Sequence, residues 1–171
     1  MSDSYDVIVI GAGPGGSVCA IRAAQLGLRT AVVDKEWLGG VCLNVGCIPS
    51  KSLLKNAEVA ELLRHRSKDF GFSFDNLKLD FGAAVKRSRQ VSDRLTKGVG
   101  FLMKKNNIDV HFGAAVIKSK SGVEITDKNG QKKILESRNI VIATGSNLPS
   151  AKRTELISSV LLFLVGAPFD M

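Results

Sequence analysis

Two cysteines, Cys42 and Cys47, lie close together in a glycine-rich segment of the chain. A pair of thiols can form a disulfide and release it again, so that one sulfur exchanges with a substrate while the other resolves the mixed disulfide. This exchange needs a thiolate, and the N-terminal end of a helix favours that form. Because the residues from Cys47 onwards have a helical pattern, we predict that Cys47 begins a helix. Cys42 is expected to be the more exposed of the two, on an irregular segment before it.

A metal site is the alternative for two close cysteines. Zinc usually takes about four ligands, whereas the two histidines, His65 and His111, lie far from the pair in sequence, so no metal is expected. Lys51 lies four residues after Cys47 and would share its helix face. Its ammonium group would stabilise the thiolate, contact a bound cofactor or simply face solvent. The third cysteine, Cys19, matches no redox pattern and is expected to be buried in a helix.

A glycine pattern precedes the cysteines and has the spacing of a phosphate-binding turn. Gly11 would permit a tight turn between strand and helix, Gly13 would let the backbone approach a pyrophosphate, and Gly16 would let helix and strand pack closely. Asp34 stands at the predicted end of the next strand, where a carboxylate can bind ribose hydroxyls, although a helix cap or a turn is the alternative for this residue. The pattern predicts a dinucleotide site without distinguishing FAD from NAD.

The elements around these motifs alternate between strand and helix. Apolar runs predict buried parallel strands, periodic segments predict helices, and alternating segments predict a small antiparallel meander. The predicted strands are Tyr5–Ile10, Thr30–Asp34, Ile108–Phe112, Ala115–Ser119, Gly122–Thr126, Lys132–Leu135 and Asn139–Ala143, and the predicted helices are Pro14–Leu26, Cys47–Arg64 and a third that ends at Lys105. The fold class is therefore α/β, a Rossmann-like domain whose parallel sheet carries a small antiparallel β-meander.

The composition fits one domain of ordinary size. The chain has 171 residues, of which 44% are hydrophobic, and 24 basic against 16 acidic residues give a formal net charge of +8. The densest basic region, Lys86 to Lys105, is interleaved with apolar residues and is typical of the solvated side of an amphipathic helix, so we expect no nucleic-acid partner. The N-terminal residues lack a secretory signal and no apolar run is long enough to span a membrane. We therefore expect a cytoplasmic protein without a membrane partner.

Three motifs together resemble one family. They are Gly11-Ala-Gly-Pro-Gly-Gly16, Gly39-Gly-Val-Cys-Leu-Asn-Val-Gly-Cys-Ile-Pro-Ser-Lys51 and Ile140-Val-Ile-Ala-Thr-Gly145. From Tyr5 to Ser146 the chain resembles the N-terminal FAD-binding part of the dihydrolipoyl dehydrogenases, which are class I pyridine nucleotide-disulfide oxidoreductases. Pro49-Ser50-Lys51 is more similar to lipoyl and mercuric reductases than to glutathione reductases. A fragment like a mercuric or glutathione reductase is kept as an alternative.

The resemblance implies FAD as the cofactor and a role for each residue of the pair. Cys42 would be the thiol that exchanges with the substrate disulfide, Cys47 the thiol that contacts the flavin, and Lys51 the cation beside the reactive flavin nitrogen. Beyond the glycine pattern and Asp34, the residues implied to bind the cofactor are Lys35, Gly40, Cys42, Lys51, Gly113, Ala114, Ala115, Ala143, Thr144 and Gly145. For Ala114 and Ala115, plain strand packing is the alternative.

In the family, the reaction oxidises a dihydrolipoyl group and passes the electrons through the dithiol and FAD to NAD. The implied partners are the dihydrolipoyl groups of 2-oxo acid dehydrogenase or glycine cleavage complexes, and the second subunit of a homodimer. The family pattern continues into NAD-binding, central and interface domains that have no counterpart in this sequence.

The expected organisation is therefore a C-terminally truncated one. Residues 1–146 would form the FAD-binding domain with the redox dithiol, and residues 147–171 would be a divergent tail, the product of a truncation or a frameshift. Such a chain is expected to be a catalytically incomplete disulfide oxidoreductase. A non-catalytic flavin-binding or interaction remnant is the alternative.

Overall fold

A computed structural model describes residues 3–146 of the chain. In chain order the elements are β1 (Asp3–Ile10), α1 (Pro14–Gln25), β2 (Thr30–Asp34), α2 (Gly40–Asn44), α3 (Cys47–His65), a short 3-10 helix (Ser67–Phe70), α4 (Phe81–Lys105), β3 (Asp109–Phe112), β4 (Ala114–Ile117), β5 (Gly122–Thr126) and β6 (Lys132–Ile142). The predicted tail, residues 147–171, lies outside the described residues.

The six strands form one sheet in the order β3-β2-β1-β6-β5-β4. β1 pairs in parallel with β2 and β6, and β2 pairs in parallel with β3, whereas the pairs β4–β5 and β5–β6 are antiparallel. The apolar run of β1 is buried on both faces, since Ile8 belongs to a cluster with the meander and Val9 to a cluster with α1 and α4. The predicted fold class, a Rossmann-like parallel sheet with an antiparallel meander, is confirmed.

β6 is a single strand where the sequence predicts two. Residues 136–138 separate Lys132–Leu135 from Asn139–Ala143, which are predicted as two strands, and this prediction is wrong. The reason is β1, which continues the parallel ladder through the polar stretch and pairs its Tyr5 with Ser137, a residue whose side chain is buried. One strand therefore belongs to both the parallel and the antiparallel part of the sheet.

α4 connects the segment after the cysteines with the core. Asp80 caps its start, because its Oδ1 accepts a hydrogen bond from the Ala83 N–H at 3.0 Å. The buried residues of the helix are Ala84, Ser88, Ser92 and Met103. In the first half, Arg87 donates a hydrogen bond to the Ser52 Oγ of α3 at 2.8 Å. In the second half, Met103 packs with Val9 in the core. The helix therefore bridges α3 and the sheet.

The basic side of α4 is exposed, as the amphipathic pattern predicts. Lys86, Arg94 and Lys97 all lie on this side of the helix. No helix within residues 3–146 has both the length and the apolar character needed to cross a membrane.

Candidate dinucleotide and dithiol site

The glycine turn joins β1 to α1 and is shaped by close backbone contacts. Gly11 has a φ of +107°, and a Cβ there would overlap the carbonyl of Ala143, the residue directly after β6. A Cβ on Gly16 would overlap the Gly11 carbonyl and lie 3.3 Å from the Val9 side chain. These two glycines are therefore required by the fold itself. Gly13 differs, because a Cβ there would meet no protein atom within 4 Å.

Asp34 ends β2 and holds the loops on either side of it. Its Oδ2 accepts a hydrogen bond from the Ala12 N–H at 2.7 Å, inside the glycine turn. Its Oδ1 accepts from the Glu36 N–H at 2.9 Å and from the Trp37 N–H at 3.1 Å. The carboxylate therefore fixes the turn and the start of the segment that leads to the cysteines. Hydrogen bonding to a ribose, for which carboxylate lone pairs are left, stays a prediction.

A cavity of about 800 Å³ opens at the carboxyl ends of β1, β2 and β6, where ligands bind in open α/β sheets. It has the volume expected of a cofactor site. Of the predicted site residues, it is lined by Gly11, Gly13, Asp34, Lys35, Gly40, Cys42, Gly113, Ala114, Ala115, Ala143, Thr144 and Gly145. Gly16 lies behind the turn, and neither Cys47 nor Lys51 lines the cavity. The structure thus brings the glycine turn, the strand ends and one cysteine to a common wall.

Several lining residues were not predicted from the sequence. The side chains that matter most are those of Trp37, Val41 and Val45, and the remaining ones are Ile10, Pro14, Val33, Glu36 and Ser146. Trp37 is the single tryptophan of the chain and stands three residues after Asp34. An aromatic residue shortly after a strand-end carboxylate was the available signal for it. Val41 and Val45 flank Cys42 and give this end of the cavity an apolar wall.

The two cysteines lie on different helices that meet at Gly46. Cys47 is the first residue of α3, as predicted. The prediction for Cys42 is wrong, because it lies within α2 and is half-buried, whereas Cys47 is the exposed one. The reason is that residues 40–44 coil into a helix that is tied to the glycine turn by a hydrogen bond from the Gly39 N–H to the Ala12 carbonyl at 2.8 Å. Both thiols are free.

Gly46 lets the two helices approach. A Cβ on Gly46 would lie 2.9 Å from the Val41 carbonyl oxygen and 3.4 Å from the Cys42 Cα, so a larger residue would push α2 and α3 apart. Glycine at position 46 therefore lets α2 and α3 lie closer together than a residue with a side chain would.

The environment of Cys42 raises the pKa of its thiol. The hydrogen bond with the Cys47 side chain is the largest cause, followed by burial and by the negative charge that Cys47 can carry. The backbone N–H of Cys47 and the ammonium of Lys51 act in the opposite direction and lower this pKa. The thiol of Cys42 therefore keeps its proton at neutral pH.

The family model for pyridine nucleotide-disulphide oxidoreductases matches residues 5–157. The chain belongs to this family. It is 47% identical over 163 residues to a dihydrolipoyl dehydrogenase of Corynebacterium glutamicum, an alignment that covers 95% of this chain and 34% of the relative. It is 49% identical to one of Rhizobium etli, with 85% and 33% covered, and 48% identical to one of Mycobacterium leprae, with 93% and 34% covered. The chain thus spans about a third of the length of these curated relatives, and the predicted resemblance is confirmed.

Membership in the pyridine nucleotide-disulphide oxidoreductase family implies FAD, and NAD for its full-length members. The residues present fit FAD. The missing side chain of Gly13 leaves open space beside the cavity, although neither its backbone angles nor its neighbours require a glycine. The N-terminal end of α1, which begins at Pro14, also favours an anionic group there. Both features match the approach of a pyrophosphate.

Proposed function

We propose that residues 1–146 form the FAD-binding unit of a dihydrolipoyl dehydrogenase-like disulfide oxidoreductase. The observation that carries this proposal is that one cavity is lined both by the glycine turn with Asp34 and by Cys42. The pyrophosphate would lie against Gly11 and Gly13, the ribose near Asp34, and the redox end of the cofactor towards α2. The ends of β3 and β6, with Gly113 and Thr144, would close over it.

The proposed chemistry is thiol–disulfide exchange followed by electron transfer. The Cys42–Cys47 disulfide would take two electrons and two protons from a dihydrolipoyl group, which becomes a lipoyl disulfide and leaves both cysteines as thiols. FAD, when bound, would accept the two electrons from the reduced pair and pass them to NAD. Cys42 would exchange with the substrate and Cys47 would face the flavin, with Lys51 stabilising the pair by its charge. Because the pKa of Cys42 is raised, its sulfur would take up a proton when the mixed disulfide with the substrate is resolved and Cys42 is released.

The proposed partners follow from the relatives, which are dihydrolipoyl dehydrogenases. They are the dihydrolipoyl groups of a 2-oxo acid dehydrogenase or glycine cleavage complex, and a second subunit in a homodimer. A cytoplasmic location belongs to the same proposal, since a reducing compartment keeps a dithiol exchangeable.

FAD titration of the purified chain tests the binding part of the proposal. We expect Gly13→Ala to weaken FAD binding by about tenfold or more, the equivalent of about 1.4 kcal/mol, because its methyl group would enter the space reserved for the pyrophosphate. Gly15→Ala is the matched control, since its Cβ also meets no protein atom and Gly15 does not line the cavity. Equal FAD affinity in both variants would contradict the proposed pose.

The proposed order of the two thiols has its own test. After two-electron reduction of the FAD-loaded chain, we expect a long-wavelength charge-transfer band that is lost in Cys47→Ser and kept in Cys42→Ser. A band that survives equally in both variants would refute the order. The test is needed because the lining of the cavity favours the opposite order, since Cys42 lines it and Cys47 does not.

The second candidate function is FAD binding without turnover. The observation that favours it is the cavity alone, whose lining residues all lie within residues 10–146. Turnover of dihydrolipoamide and NAD by the purified chain would exclude the second candidate, and bound FAD without turnover would support it.

A further inference from the structure

α2 carries Cys42 but has little to hold it in place by itself. It comprises five residues, Gly40–Asn44, and none of them is buried. A helix this short is unstable in isolation, and without a buried face it gains little from packing. Its position must therefore come from bonds to neighbouring parts of the chain.

Asn44 supplies most of these bonds. Its Nδ2 donates to the Leu38 carbonyl at 2.9 Å and to the Gly40 carbonyl at 2.8 Å, so both amide hydrogens are used. Its Oδ1 accepts a hydrogen bond from Thr96 Oγ1 at 3.3 Å, and its backbone carbonyl accepts one from Arg89 Nη1 at 2.9 Å. Both Thr96 and Arg89 belong to α4. Asn44 thus joins the loop before α2, the first residue of α2 and α4.

We propose that Asn44, held by Thr96 and Arg89, is a positioning residue that fixes Cys42 relative to Cys47 and thereby sets the stability of their disulfide. This inference rests on the proposed redox function of the pair. Cys47 belongs to α3, which Arg87 of α4 binds through Ser52. Both cysteine-bearing helices are therefore attached to α4, and the distance between the sulfurs depends on these attachments.

The expected effect is on the equilibrium between dithiol and disulfide. In that reaction the two thiols lose two protons and two electrons, which convert glutathione disulfide into two molecules of glutathione. A disulfide needs a narrow range of distances and angles between the two residues. When α2 is free to move, the pair spends less time in this range, so the disulfide becomes easier to reduce.

The experiment uses the purified full chain in glutathione buffers of different ratios. The fraction of Cys42–Cys47 disulfide is measured by thiol alkylation and peptide mass spectrometry. The peptide masses also distinguish this disulfide from any that involves Cys19. We expect Asn44→Ala to lower the equilibrium constant for disulfide formation by about tenfold, which corresponds to about 30 mV. Thr96→Val should lower it in the same direction, and Thr96→Ser, which keeps the hydroxyl, should restore the constant.

Two controls separate positioning from a general loss of structure. Ser92→Ala changes a buried hydroxyl one turn earlier on α4, and Arg94→Gln removes an exposed arginine of the same helix. Neither control should change the constant, whereas Arg89→Gln should lower it. Thermal unfolding of each reduced variant shows whether the fold is intact. Thr96→Val should disturb the fold least, because valine has nearly the same shape as threonine.

The outcomes are distinct. Constants for Asn44→Ala and Thr96→Val that equal those of the unaltered chain, or that rise, overturn the positioning role alone. If the unaltered chain forms no Cys42–Cys47 disulfide at any glutathione ratio, the proposed redox function fails and the positioning role fails with it. A drop in the constant that Thr96→Ser restores supports the role.

Discussion

The Asp34 carboxylate accepts a hydrogen bond from the backbone N–H of Ala12, with 2.7 Å between Oδ2 and the nitrogen. Ala12 is fully buried. The bond therefore satisfies a donor that water cannot reach, and it fixes the glycine turn against the end of β2. The Asp34 carboxylate therefore has a structural role whether or not a ribose is bound.

Replacing Asp34 with alanine should destabilise the protein even without cofactor. The buried N–H of Ala12 would lose its partner, and such a loss costs about 1–3 kcal/mol. The free energy of unfolding in urea measures the effect. Asp75→Ala, which removes an exposed carboxylate, is the control and should leave that free energy unchanged. An Asp34→Ala variant as stable as the unaltered chain would show that the bond contributes nothing.

Trp37 should report FAD binding directly. It is the single tryptophan of the chain and lines the cavity. A flavin in that cavity would quench its fluorescence, so titration with FAD should give a saturable decrease in emission near the tryptophan maximum. Trp37→Phe removes the signal and serves as the blank. Binding seen by flavin absorbance without any change in tryptophan emission would place the cofactor elsewhere.

Glu124 should make stability depend on pH in the acid range. Hydrogen bonds, from Lys132 foremost and from Lys118, lower the pKa of this carboxyl from its ordinary value of 4.5, although partial burial opposes them. Because the folded-state pKa lies below the unfolded one, the contribution to stability is fully present above pH 4.5 and is lost as the pH falls through the folded-state pKa.

Unfolding curves recorded from pH 7 down to the acid range check this prediction. Glu124→Gln should be less stable than the unaltered chain at neutral pH, and the difference should disappear in acid. Glu136→Gln, which changes an exposed carboxylate on β6, serves as the comparison. A stability difference for Glu124→Gln that is the same at both ends of the pH range would contradict the assigned cause.

Replacing the buried Ser92 with alanine should not destabilise the protein. Its hydroxyl is buried and has no hydrogen-bond partner among residues 3–146. Ser92→Ala removes this unsatisfied group, so we expect stability to be unchanged or to rise by up to about 1 kcal/mol. Ser92→Leu would place a larger side chain at this buried position and should cost about 1–3 kcal/mol. Thermal or urea unfolding distinguishes the two variants.

The parts of the fold that the sequence predicted are those determined by local patterns. The unit from β1 to Asp34 was predicted to within two residues at each boundary, because an apolar run, a glycine spacing and a helical period each lie within a few residues. Most predicted cofactor residues line one cavity for the same reason, since they lie at strand ends that a parallel sheet brings together.

The parts that were not predicted depend on bonds between residues far apart in the chain. The helix that carries Cys42 is bonded to Ala12 of the glycine turn through Gly39 and to Thr96 and Arg89 of α4 through Asn44, and nothing in residues 38–46 alone indicates those bonds. β6 continues through polar residues because β1 supplies its ladder. Tertiary pairing overrides local propensity in both places.

The pairing of β1 with β6 has a consequence for synthesis. Ile8 of β1 pairs with Ile140 of β6. During synthesis, this edge of β1 therefore stays unpaired until β6, the last strand of the described residues, has been made. An unpaired apolar edge is a template for association with other chains, and pairing between distant segments is slow. The newly made chain is therefore most vulnerable to aggregation before translation reaches β6. Yield of the protein in cells should depend on chaperones that shield that edge.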